Sequence, residues 1–416
     1  MIRFDPIPYP LWRRRFPEPL RRLLQPAWRL ITPADADSHP PATPAQMTHY
    51  LTRWRLLPDG MSASGALTAL KALADAPPHV EQPSDAPAPA FSGRLRLPAQ
   101  WEPVEAVVIA FPVLYPRLWE THLSLIAAIT PAARVDVLIP HPEWALPVTL
   151  LLDSRGIERS QVRFLHLPTD DIWVRDYGPV VGFDAQGRRA LLSIVYDPLP
   201  NYDQRRDDGV ALRYAAHAAI PARRLALHTE GGNLWSDGAG TLLMSDDIFE
   251  RNPGMTYERL LADLRDVFLF DKLILTPFLA YEETGHIDLL CKLASADTVL
   301  ISAPTPPING ARLRRTADCF RRETNARGQP YRIFELPSPP PYLNWGVYPV
   351  WRSYTNALTV NGRALVPTFG IAMDQQALDV YRRAMPDYEV IGIPCRYAAN
   401  GGGAVHCLTK EIPAGL

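Results

Sequence analysis

Five polar clusters stand out along the chain, and their residue types suit chemistry on a flat cation. WVRDYGP occupies 173–179, TEGGN 229–233, ETGHID 283–288 and NGGGAVHCLT 400–409, with Tyr354 and Asn356 forming a pair between the last two. Together they supply a thiol (Cys407), an imidazole (His286) and three carboxylates (Asp176, Glu230, Asp288). Two carboxylates can grip a planar guanidinium through paired charge-assisted hydrogen bonds. A thiol beside an imidazole can attack the carbon of that cation.

Each residue also has a plainer reading. Cys407 sits in a glycine-rich turn before an expected strand, where backbone amides can favour a thiolate, yet a free cysteine is more often a small buried apolar residue. His406 is adjacent to it, but neighbouring strand residues face opposite ways, so His406 reads as structural. His286 and Asp288, two apart, are expected on one strand face, as a proton shuttle or half a metal site; a lone histidine is more often a satisfied core residue. Asp176 lies beside Arg175 and could be a simple ion pair. The Trp173 indole would ordinarily be core, although its face also suits a delocalised cation. Glu230 precedes two glycines, which are awkward inside a strand and signal a close approach of backbone to something.

What must position these residues is a recurring α/β unit. Strand, helix and strand are expected at 105–111, 117–129 and 134–139, with a further strand at 162–167. The order returns at 190–196, 209–219 and 224–228; at 240–245, 256–266 and 272–276; at 297–302, 312–326 and 331–336; and at 364–368, 374–385 and 388–393. Each polar cluster follows the last strand of a unit. A repeat of this kind marks a propeller-like architecture in which units bury their faces against neighbours. If five units share an axis, residues far apart in sequence meet at its centre. A dinucleotide fold is the weaker alternative, because no G-x-G-x-x-G follows the first strand.

Composition bounds the rest. With 47% apolar and 21% charged residues, the 416-residue chain has the balance of a globular protein. Its formal charge of -1, with no basic stripe, argues against a nucleic-acid or anionic-membrane surface. No apolar run reaches membrane-helix length. Four cysteines without C-x-x-C spacing fit a reducing compartment, so a cytoplasmic location is expected. Proline is concentrated early, with 17 of the 44 in the first 100 residues. Residues 1–93 therefore read as a proline-rich extension and linker, with scattered anchors (Trp12, Leu20, Leu24, Trp28, Tyr50, Trp54) and one helix at about 62–76. They would wrap the main domain or a partner, or pack on its surface. Residues 94–416 read as the catalytic domain.

The clusters, taken in order with LPAQWEPVEAV (97–107), SDGAGT (236–241) and RNP (251–253), resemble the agmatine deiminase and bacterial-type peptidyl-arginine deiminase family of the guanidine-modifying pentein superfamily. The joint order of GHID and GGGAVHC is the specific part, and the likeness covers roughly three quarters of the chain. It implies a five-unit pseudo-symmetric α/β propeller and hydrolysis of a guanidinium to a ureido group, with no metal and no cofactor. By the same resemblance Cys407 is the nucleophile, His286 the general acid and base, and Glu230 the supporting acid. Asp176, Asp288, Trp173 and Asn356 bind the substrate.

Two departures bear on the substrate. The family's agmatine-specific members show a Trp-Gly-Gly stretch where this chain has DPLPNYDQRRDD (197–208), and an Asp before Gly-His where it has Thr284. Both departures weigh against agmatine itself within the range of agmatine, arginine, peptidyl-arginine and related guanidines, and leave the other guanidines open; self-association is open too. An amidinotransferase would use the same cysteine but pass the amidino group to an amine. A metallohydrolase on His286 and Asp288 lacks an evident third ligand, and a non-catalytic binding protein would have no reason to keep all five polar residues.

Overall fold

The computed structural model describes residues 43–415 except 85, 114, 197–204, 283, 305–307 and 345–347. The anchors Trp12 to Trp28 and most of the 197–208 departure lie outside the described residues.

The chain forms a five-bladed propeller. Each blade opens with a strand antiparallel to the next, which then crosses over through a helix to a parallel third strand. Blade 2 is Val180–Phe183, Arg189–Val195 and Ala222–His228, with helix Val210–His217. Blade 3 is Trp235–Ser236, Thr241–Ser245 and Lys272–Thr276, with helix Tyr257–Val267. Blade 4 is Cys291–Ser295, Thr298–Ser302 and Arg332–Leu336, with helix Gly310–Arg322. Blade 5 is Leu358–Val360, Arg363–Thr368 and Glu389–Pro394, with helix Met373–Ala384. Blade 1 joins the two ends of this repeat: Lys410–Pro413 pairs antiparallel with Val104–Ala110, which runs through helix Trp119–Ile129 to the parallel Arg134–Ile139.

The helices and crossover strands stand close to where the apolar pattern puts them, because that pattern records burial. Val104–Ala110 is buried except at Glu105, as expected of a strand covered on both faces. Helix Tyr257–Val267 buries Leu260, Leu264 and Val267 along one face, and the Thr256 side chain caps its start by accepting from the Arg259 amide. The short opening strands of blades 2 to 5 carry little periodicity, and sequence reading passes over them.

Part of the extension is built into blade 1. Val80–Glu81 pairs parallel with Val162–His166, making a five-stranded sheet. Helices Pro44–Arg53 and Ala63–Asp75 bury Met47, Leu51, Ala66 and Leu70 in the same apolar core as blade 1. The second helix is the expected one. The first was missed, although Thr43 and Gln46 form a capping box that announces it.

Candidate active site

All five polar clusters lie immediately before the opening strand of a blade, so each blade contributes one. Arg175 and Asp176 precede blade 2, Glu230 blade 3, His286 and Asp288 blade 4, Asn356 blade 5, and Cys407 the closing strand of blade 1. Direct contacts knit them into a ring. Gly231 lies against the Arg175 carbonyl. His286 Nε2 is 2.5 Å from Glu230 Oε2, and Thr355 Oγ1 donates to the Asp288 carbonyl at 2.8 Å. Asn356 Nδ2 lies 3.1 Å from Cys407 Sγ. The Arg175 amide donates to the Cys407 carbonyl at 3.2 Å, which completes the circle.

One local expectation is corrected. His286 and Asp288 are not on a strand: His286 precedes a single 3-10 turn, Ile287–Leu289, that contains Asp288. The turn, rather than a period of two, brings both side chains into the pocket. Cys407 likewise lies in a turn before Lys410–Pro413.

Every residue expected in the site is buried, and the structure brings the five charged or nucleophilic ones together. Asp288 Oδ2 is 3.8 Å from Cys407 Sγ, while Asp288 Oδ1 has no hydrogen-bond partner among the described residues. His286 Nδ1 is 3.6 Å from Asp176 Oδ1. Asn356 holds the nucleophile's turn, because its Oδ1 accepts from the Ala404 and Cys407 amides at 3.0 and 3.3 Å. The Trp173 ring lies against the same turn: a Cβ on Gly403 would come 2.3 Å from the indole and 2.8 Å from Cys407 Cβ, so only glycine fits there. Tyr354, by contrast, donates to Asp374 and serves blade 5.

The electrostatics of this ring are unusual. Burial alone would lower the His286 pKa, but Asp176, the hydrogen bond to Glu230 and Asp288 outweigh it and raise it to about 9. Burial pushes the Asp288 carboxyl up to about 7 despite the nearby His286. Burial, then Asp288 and Asp176, holds the Cys407 thiol well above the usual range. A positively charged group placed between these carboxylates would relieve all of this at once.

The family model for the Porphyromonas-type peptidyl-arginine deiminases matches residues 96–413. The chain belongs to this family. It is accordingly a hydrolase of carbon–nitrogen bonds in linear amidines. The agmatine deiminase of Pseudomonas putida is 26% identical over 357 residues, covering 76% of this chain and 95% of that protein. Two solved structures share the fold. The agmatine deiminase of Enterococcus faecalis aligns with a TM-score of 0.70 at 20% identity, covering 79% of this chain and 100% of that one. That of C. jejuni aligns at 0.65 and 18%, covering 76% and 96%.

Several braces of this deiminase site escaped sequence reading. Arg251, within the RNP motif, donates to Glu230 Oε1 at 3.0 Å, to Asp247 Oδ2 at 2.6 Å and to the Thr284 carbonyl at 2.6 Å. Arg175 is buried and forks onto Glu411 at 3.1 and 2.5 Å while donating to the His406 carbonyl. His406 Nδ1 is 2.6 Å from Asp288 Oδ2. The expectation that it faces away from Cys407 as a strand neighbour is corrected: both residues lie in one turn, and the partner of His406 is a carboxylate of the pocket. Motif position was the only signal for Arg251; nothing local marks Glu411.

A third potential metal ligand does exist. Asp176, Glu230 and His286 offer donor atoms all within 4.8 Å of one another, a different set from the His286 and Asp288 pair suggested by sequence. The 2.5 Å separation of His286 Nε2 and Glu230 Oε2 is that of a charge-assisted hydrogen bond, and the two atoms satisfy each other directly. No helix among the described residues is long and apolar enough to cross a membrane.

Proposed function

We propose that the protein hydrolyses a guanidinium group to a ureido group with release of ammonia, through a covalent thiouronium on Cys407. The observation that carries this reading is the buried pair of carboxylates, Asp176 and Asp288, beside a thiol and an imidazole whose pKa is raised to about 9. Asp288 Oδ1, which has no hydrogen-bond partner among the described residues, and Asp176 accept the N–H groups of the cation. Its arrival cancels the two negative charges that help keep the thiol protonated, so the thiol releases its proton to solvent, where the departed ammonia later takes it up, and the thiolate forms where the substrate carbon lies.

The thiolate's electron pair then forms the S–C bond, and the C=N π pair moves onto nitrogen. His286, protonated at neutral pH, gives its proton to the departing amino group; the C–N bond breaks and ammonia leaves. The imidazole next takes a proton from water, whose oxygen adds to the thiouronium carbon. The C–S bond breaks, restoring the thiol and yielding the ureido product. Glu230, held by Arg251, keeps the ring oriented and supports its charge.

The substrate is agmatine, arginine, peptidyl-arginine or a related guanidine. The same reading places the catalytic unit in residues 94–416, with 1–93 as an extension, and the enzyme in the cytoplasm; its four cysteines are all free thiols. The partner is a small or peptidyl guanidine, not a nucleic acid or membrane. A guanidine panel assayed for ammonia and ureido product tests the activity, with Cys407→Ala as the control. Turnover should vanish in that variant; a folded variant releasing ammonia at the wild-type rate removes Cys407 as nucleophile. Transfer of the amidino group to an added amine without ammonia release would make the enzyme an amidinotransferase.

A further inference from the structure

Beside the pocket runs a chain of buried hydrogen bonds that ends on Asp288 Oδ2 and that the reaction itself does not use. Lys292 Nζ donates to Gln100 Oε1 at 2.8 Å. Gln100 Nε2 lies 2.8 Å from His406 Nε2, and His406 Nδ1 lies 2.6 Å from Asp288 Oδ2. All four residues are buried, and the His406 ring is stacked on Trp235 at 4.6 Å with the planes 18° apart. Lys292 Nζ sits 4.9 Å from that same indole.

The direction of every bond in this chain can be worked out from its fixed end. Gln100 Oε1 also receives the backbone amide of Thr359 at 3.3 Å. A backbone N–H can only donate, and the lysine amine also donates, so the oxygen of Gln100 must face both. Its NH2 group is therefore turned to His406 Nε2, which must accept. A neutral imidazole that accepts at Nε2 carries its proton on Nδ1. That proton points at Asp288 Oδ2. Flipping the Gln100 amide would set donors against donors at Thr359 and Lys292, and would leave a lone pair of His406 facing a carboxylate at 2.6 Å. Burial, together with Arg175, Lys292 and Lys410, also keeps the ring neutral by depressing its pKa well below the usual value.

We infer that Gln100 is a positioning residue: with Lys292 and the Thr359 amide it fixes His406 as the Nδ1–H tautomer, and His406 thereby holds Asp288 Oδ2 so that Oδ1 faces the substrate cation. This rests on the proposed role of Asp288 in gripping a guanidinium. Sequence-remote residues from blade 1, blade 4 and blade 5 thus orient one oxygen atom of the pocket. It also explains why a histidine beside the nucleophile need not serve as its base.

The test is a double-mutant cycle on kcat/KM, accompanied by nitrogen-15 NMR of the histidine rings. Gln100→Leu frees His406 to change tautomer and should lower kcat/KM by about 10- to 100-fold, by analogy with the loss when a partner orienting a metal-ligating side chain is removed. In His406→Asn the side-chain NH2 stands where Nδ1–H stood, so kcat/KM should stay within about fivefold of wild type, whereas His406→Leu should lose as much as Gln100→Leu. In the His406→Asn background, Gln100→Leu should cost less than about twofold more, because an amide has no tautomer to set. Equal losses from Gln100→Leu in both backgrounds would overturn the inference, since that is what a packing role predicts. Should Gln100→Leu not fold, Gln100→Met and Lys292→Met replace it, with smaller losses expected from the latter because the Thr359 amide remains. The NMR arm reads the wild-type ring directly. Nδ1–H on His406 supports the inference and Nε2–H overturns it, even if no guanidine proves to be a substrate and the proposed function fails.

Discussion

Adding a single methyl group at Gly232 should dismantle the acid–base half of the site without replacing any ionisable residue. The glycine lies directly beneath the His286 ring. A Cβ built there would come 2.3 Å from His286 Nδ1 and 2.9 Å from Cγ and Cε1, whereas ordinary contact begins at 3.4 Å. In Gly232→Ala either the ring or the strand-entry backbone must therefore move by about 1 Å. The ring is tied to Glu230 by a 2.5 Å bond that cannot stretch so far and remain a hydrogen bond. Displacing a proton donor by about 1 Å typically costs about 100-fold in rate, or about 2.7 kcal/mol of barrier. The overpacking itself should lower stability by about 1–3 kcal/mol, which thermal melts would detect. Steady-state ammonia release on the best guanidine should show the loss chiefly in kcat, because Asp176 and Asp288 still grip the cation. A folded Gly232→Ala enzyme with kcat within about twofold of wild type would refute the placement of His286 as proton shuttle.

Three further outcomes are expected. Asp288→Asn should reduce kcat/KM by an amount corresponding to about 2–5 kcal/mol, since one carboxylate of a buried charged grip is lost; a change under about 0.5 kcal/mol would take Asp288 out of the site. The pH profile of kcat/KM should be bell-shaped: activity falls below about 7 as Asp288 takes up a proton and can no longer accept from a guanidinium, and falls above about 9 as His286 loses the proton it must donate. A profile flat between pH 6 and 10 would contradict both assignments. Exhaustive chelation should leave the rate unchanged, whereas a loss restored by zinc or manganese would favour a metal held by Asp176, Glu230 and His286.

The repeat of strand, helix and strand was legible because each blade buries the same faces: helix 256–266 and strand 364–368 stand within a residue of their expected bounds. Helix 312–326 was overextended, since the chain leaves the helix at Glu323, whose backbone is already extended. Cys407, His286, Glu230, Asp176 and Asp288 were readable as residue types at the ends of repeating units, a signal that survives because the five-fold repeat makes equivalent positions converge. The sequence alone therefore determined the architecture and which side chains should meet.

Only the tertiary structure decided how they meet. The turn that presents His286 and Asp288, the seat of the imidazole on Gly232, and the line from Lys292 through Gln100 and His406 to Asp288 join residues up to 306 positions apart. No local pattern encodes such contacts, because a buried hydrogen bond is satisfied by whichever chain segment the fold delivers. The tuning of His286 and Asp288 is likewise a property of burial and neighbouring charge, both of which arise only when the five blades close around the axis.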